Sequence, residues 1–129
     1  MAANKTSLSA GAVIRTLLLE DPDVSRRVNK IFPVWTDNAE LPYIAYRRTG
    51  LEANPQKGRP GADTVQMEIS CYTARYTEGV QLAEAVRSVL ESAQTGHGGL
   101  TLRSCYLSGA EEAYQDDAYL QQLIFTIKL

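Results

Sequence analysis

The sequence predicts an α+β domain, with two main helices packed on one face of a mostly antiparallel sheet of four to five strands. Three observations carry that prediction. From Thr64 to Thr73 apolar residues alternate with polar ones: Val65, Met67, Ile69 and Cys71 fall on one face, and Gln66, Glu68, Ser70 and Tyr72 on the other. A period of two marks a strand with one buried face. From Thr77 the period changes, and Leu82, Ala83, Val86, Val89, Leu90 and Ala93 recur at three- and four-residue spacing, which marks an amphipathic helix. Around this pair the elements run helix, short helix, two strands, long loop, then the strand and helix just described, then two more strands. Such an order suits one layer of helices on a sheet. Each large aliphatic side chain buried between the layers stabilises the fold by about 1.5–3 kcal/mol.

Met1 to Thr6 reads as a flexible tail. Ser7 or Ser9 is placed to cap a first helix whose apolar stripe is Ala10, Val13, Ile14, Leu17 and Leu18. Gly11 in its first turn opposes helix formation slightly. Asp21 and Pro22 end that helix and open a short second one, Asp21 as N-cap and Val24 and Val28 inward. Lys30 to Pro33 reads as a short strand, and Val34 to Glu40 as a loop carrying Trp35, the single tryptophan. Leu41 to Arg48 is a clearer strand; Pro42 marks it as an edge strand or marks its first residue, because proline cannot donate to a ladder.

Gly50 to Ala62 has no apolar pattern and reads as a long loop, a kind of segment that is functional or disordered in compact domains. In the main helix, Thr77 is the expected N-cap, with Glu78 at the positive end, and Gly96 the expected stop. Thr95 to Gly99 then reads as a turn. Leu100 to Leu107 reads as one strand with Leu100, Leu102 and Tyr106 on a face, and Gly109 to Asp117 as an acidic connection. Tyr119 to Leu129 closes the chain as a strand with Leu123, Phe125, Ile127 and Leu129 inward.

At 129 residues the chain is expected to be a single domain over residues 1–129. Hydrophobic content of 44% and charged content of 22% are those of a soluble globular protein. The formal charge of −2 argues against broad affinity for nucleic acid. No apolar run approaches the roughly 20 residues a spanning helix needs, and Met1 to Ser9 lacks the apolar core of a signal peptide. Cys71 and Cys105 both fall in predicted strands and read as reduced core thiols of a chain made in a reducing cytoplasm.

No catalytic motif emerges. His97 lies in a Thr-Gly-His-Gly-Gly turn with no nominated carboxylate or nucleophile, and reads as an exposed turn residue. His97, Cys71 and Cys105 include no close-spaced ligand pair for zinc. The glycines at 96, 98 and 99 lack the strand–turn–helix context of a phosphate loop. Glu111, Glu112, Asp116 and Asp117 do not follow the spacing of a calcium loop. Catalytic, cofactor and metal residues are therefore all expected to be none. Two charged groups stand out instead: Arg47, Arg48, Lys57 and Arg59 form a basic cluster, and Glu111, Glu112, Asp116 and Asp117 an acidic one.

The order of several short segments is informative. Leu17 to Pro22 (Leu-Leu-Leu-Glu-Asp-Pro), Val24 and Val28, Ile31-Phe32-Pro33 and Leu41-Pro42-Tyr43-Ile44-Ala45-Tyr46 come first. The strand Val65 to Tyr72, the helix segment Val86-Arg87-Ser88-Val89-Leu90, and Tyr114-Gln115-Asp116-Asp117 before the closing strand follow. Together they resemble the phage tail-completion proteins, the tail-to-head joining family long known as a prophage domain of unknown function. The resemblance covers nearly the whole chain, from the first helix to the last strand.

It implies a structural virion protein similar in fold to tail terminators, which form rings, commonly six-fold, at the head-proximal end of the tail tube. The implied partners are further copies of itself, the tail tube protein and the head connector protein, with no membrane and no specific nucleic acid. The implied location is the head–tail junction of the virion, after synthesis in the bacterial host. The family brings no active-site residues.

Rings use head-to-tail contacts between two different surfaces of each subunit, for which opposite charges are suited; the basic and acidic clusters are the expected pair. Two other classes compete. A small ligand-binding or enzymatic α+β domain would need a deep apolar pocket with convergent polar groups. A nucleic-acid module would need a salt-dependent affinity for DNA.

Overall fold

The structure, a computed structural model, describes residues 6–54, 63–91, 93–97 and 100–129. A single 3-10 turn, Ser7–Ser9, leads into α1 (Ala10–Glu20), α2 (Pro22–Arg27), β1 (Lys30–Pro33), β2 (Tyr43–Glu52) and β3 (Thr64–Thr73). Then come α3 (Tyr76–Leu90), β4 (Thr95–His97), β5 (Leu100–Leu102), β6 (Ser104–Gln115) and β7 (Ala118–Lys128). Five strands form one sheet in the order β1-β2-β3-β7-β6, antiparallel except for the parallel β1–β2 pair. The α+β class with helices on one face is thus the observed one.

The predicted inward residues meet in one core. Val65, Met67, Ile69 and Cys71 of β3 and Leu123, Phe125 and Ile127 of β7 pack with Ile14 and Leu18 of α1 and Leu82, Val86 and Leu90 of α3. Asp21 caps α2 as expected, its carboxylate accepting from the Val24 N–H at 3.0 Å. Gly11 has a packing reason: a Cβ there would lie 2.9 Å from Cε2 of the buried Tyr46 ring, so α1 and β2 approach at the one residue without a side chain.

Several boundaries differ from the sequence reading. Pro42 precedes β2, which is not an edge strand over its first residues, because β1 pairs with it from Tyr43 to Tyr46. β2 runs on to Glu52, with a register irregularity between Arg48 and Gly50. The rest of the predicted long loop, at 55–62, lies outside the described residues, as does 1–5 of the predicted tail. α3 starts at Tyr76 behind Arg75 rather than behind a Thr77 cap. The corner is held instead by the Thr73 hydroxyl, which donates to the Arg75 carbonyl at 2.8 Å. α3 stops at Leu90, where Glu91 turns extended, and Gly96 lies in β4.

The expected turn at 95–99 is in part a strand, since β4 pairs with β5. The expected strand 100–107 is interrupted at Arg103, whose N–H donates to the Lys128 carbonyl at 2.8 Å. Beyond that break the phase shifts, so that Cys105 is buried and Tyr106 exposed. The largest difference concerns the acidic connection. Glu111 and Glu112 lie within β6, which pairs with β7 as far as Gln115↔Ala118. Asp116 and Asp117 form the two-residue turn, with φ of 52° and 61°, the backbone that such tight hairpins require. Alternation fails as a signal here because β6 past Ala110 is exposed on both faces.

Candidate functional site

Two surfaces at the lateral edges of the sheet hold the predicted residues. The basic one is on β2. Arg47 and Arg48 are successive strand residues and so point to opposite faces. Arg47 Nη2 donates to Glu68 Oε2 at 3.1 Å, directly across the β2–β3 ladder. Arg48 Nη1 donates to the Leu8 carbonyl at 2.9 Å on the helix side. Lys57 and Arg59, the other two members of the cluster, lie outside the described residues.

The acidic surface is the arm formed by the ends of β6 and β7. Glu111 faces the side of the sheet away from the helices, and Glu112 the helix side, by the same alternation. Glu112 accepts from the Tyr76 hydroxyl and from Gln121 Nε2, each at 2.8 Å. The Gln121 bond, then the Tyr76 bond, lowers the Glu112 pKa below the ordinary carboxylate range. The same contact raises the Tyr76 phenol. No lysine or arginine occurs between Arg103 and Lys128, so nothing on the arm itself neutralises its four acids. Arg47 and Arg48 are neighbours on β2, and Glu111 and Glu112 are neighbours on β6 with Asp116 and Asp117 in the turn that follows it, so β3 and β7 lie between the described basic residues and the acidic ones.

The uncovered face carries an aromatic row. Phe32 and Tyr43 ring centroids are 5.4 Å apart, and Tyr43 stacks on Tyr72 at 4.8 Å. Burial, then Tyr72 and Asp116, pushes the Tyr43 phenol up. Sequence reasoning assigned no role to Val34 and Trp35, yet they are among the most exposed large apolar side chains, at 66% and 75%. Their exposure depends on where β1 ends, which periodicity does not report.

Chemistry of the enzymatic kind finds little support in the geometry. Both cysteines are buried free thiols, and burial raises each to about 12, which keeps them protonated and poor nucleophiles. His97 has its backbone in β4. Among the described residues no three His, Cys, Asp or Glu side chains converge on a metal position. A cleft of about 370 Å³ opens between α2, α3 and the start of β2, lined by Arg27, Pro42, Thr73, Glu78 and Gln81. Its walls are polar and apolar in equal measure and it is partly open to solvent, unlike the enclosed, mostly apolar lining of a ligand site. No helix among the described residues is long and apolar enough to cross a membrane.

Comparison with known proteins points to a structural family. No curated protein matches the chain by sequence. A chain from a structure titled "Virion of native gene transfer agent (GTA) particle" is similar in fold, with a TM-score of 0.81 at 17% identity. The match covers 95% of this chain and 98% of that one. The family described as tail completion protein gp17 matches residues 12–129. The chain therefore belongs to the tail completion protein gp17 family, and is a structural protein of the phage tail.

Proposed function

We propose that the protein terminates the tail tube as a closed ring and joins it to the head connector. The observation that carries this reading is the pair of oppositely charged surfaces on separate strands of one sheet, Arg47 and Arg48 on β2 and Glu111, Glu112, Asp116 and Asp117 on the β6–β7 arm. A subunit with two different complementary surfaces assembles head to tail, and such contacts close into rings when the rotation permits. Opposite charges steer that association and set its register. Lys57 and Arg59 belong to the basic half of the same proposal. The tail tube and the head connector are the further partners, at the head–tail junction of the virion, and the protein performs no catalysis there.

The test is the solution mass by light scattering over a concentration series, with negative-stain images of the largest species and a parallel series on purified tail tubes. The expected result is a hexamer-sized ring with a central hole, free or on tubes. A strict monomer in both series overturns the proposal.

A further inference from the structure

Both lateral edges of the sheet are open among the described residues. On one side β1 accompanies β2 only from Tyr43 to Tyr46, so from Arg47 to Glu52 no described strand lies outside β2. On the other side β6 pairs with β7 alone. Strand parity shows which backbone groups each edge presents. The Val34 N–H donates to the Tyr46 carbonyl at 2.8 Å, so Arg48, two residues on, also points its backbone outward.

On β6 the Leu107 N–H is already taken by Glu91 Oε2 at 3.1 Å, and just ahead of the strand Gln94 Nε2 donates to the Arg103 carbonyl at 3.2 Å. These contacts occupy the near half of that edge. Past the irregularity between Leu107 and Gly109 the outward residues are Ala110, Glu112 and Tyr114. They lie on the exposed arm. An unpaired edge of this kind is a template for another strand.

Each edge also has an apolar anchor. Where β1 leaves β2, Val34 has φ of 57° and the Trp35 N–H donates to the Pro33 carbonyl at 2.7 Å. A β-branched residue in that tight turn is strained, and neither side chain contributes to the core. On the arm, Tyr114 is 60% exposed. Tryptophan, tyrosine and arginine are the residue types that dominate interface energetics.

We propose that these edges are two halves of one seam: the outer edge of β6 in one copy adds to the outer edge of β2 in a second copy. The proposal rests on the ring reading and names its subunit contact. Glu111 and Glu112 then lie beside Arg47 and Arg48, and Trp35 closes on Tyr114. Within one sheet β2 and β6 run antiparallel, being separated by three antiparallel pairings. Copies placed side by side facing the same way therefore pair these edges antiparallel, and the contact repeats around a ring.

The test begins with two full-length variants. Ala110→Pro removes an outward N–H that does not serve the β6–β7 ladder. Arg48→Glu with Trp35→Ser alters the other edge. Both are checked for folding by circular dichroism melting. Each alone is expected to be monomeric where wild type forms rings. Mixed, they are expected to form a two-copy complex, since each retains one intact half-seam. A chain carrying both Glu112→Arg and Arg48→Glu is expected to recover ring formation that Arg48→Glu alone loses.

Rings formed by either single-edge variant as readily as by wild type, or a mixture that stays monomeric, overturn the seam and leave the ring reading standing. A wild type that is monomeric both free and on tail tubes overturns both.

Discussion

The Tyr76 hydroxyl donates to the Glu112 carboxylate at 2.8 Å, tying the first turn of α3 to the β6–β7 arm. The rings around this bond reinforce it: Tyr119 meets Tyr76 edge-on at 6.0 Å and Tyr114 at 4.9 Å. The β6 half of the arm past Ala110 has no buried face, whereas Ala118 and Leu120 of β7 are buried, so the outer strand depends on this surface network together with its ladder to β7.

That dependence makes the arm sensitive to acid. Glu112 titrates below its ordinary value in the folded chain, so its contribution is complete above the reference pKa of 4.5 and is lost as pH falls through the lowered folded value. Glu112→Gln is expected to remove this contribution. Thermal melts of the two proteins should differ above the carboxylate range and converge at the acid end. Superimposable profiles throughout would show that the bond does not persist in solution.

The turn at the tip separates stability from assembly. Asp116 and Asp117 both hold positive φ, a conformation for which Asn-Gly is the favoured pair. The double change Asp116→Asn, Asp117→Gly is expected to raise stability by about 1 kcal/mol by relieving left-handed backbone strain. It also removes two negative charges from the arm, so ring formation is expected to weaken. Denaturant titration and light scattering on the same sample read the two effects independently, and a variant that is both more stable and fully competent would exclude the turn acids from the contact.

Gly11 is expected to resist the substitution that helix propensity favours. Alanine there gains about 1 kcal/mol of intrinsic helix stability. Its methyl, however, falls 2.9 Å from the Tyr46 ring, and overpacking costs about 1–3 kcal/mol. Gly11→Ala should therefore be neutral to destabilising by up to about 2 kcal/mol, and the cost should vanish in the background of Tyr46→Leu. A stabilised single variant would mean that α1 shifts freely over β2.

Where one face of an element is buried, the linear pattern was sufficient. The alternation of Val65, Met67, Ile69 and Cys71, and of Leu123, Phe125 and Ile127, specified which side chains reach the core. The Asp21 cap was equally legible, because its hydrogen bond spans three residues. The order of short segments also carries the resemblance to the tail-completion family. What stayed hidden depended on partners distant in the chain. β6 past Ala110 has no buried face, so only its pairing with β7 reveals it as a strand. Thr73 replaces Thr77 at the start of α3 because the β3–α3 corner is closed by a contact across it.

The same division governs the candidate site. Composition and spacing singled out Arg47, Arg48, Glu111, Glu112, Asp116 and Asp117 as charged clusters. Only the tertiary structure put the arginines on β2 and the acids on β6 and its hairpin turn, with the exposed Trp35 following β1 beside β2 and the exposed Tyr114 on β6. Periodicity records which residues leave water. The free edges of a sheet are decided by strand order, a property of pairings far apart in sequence.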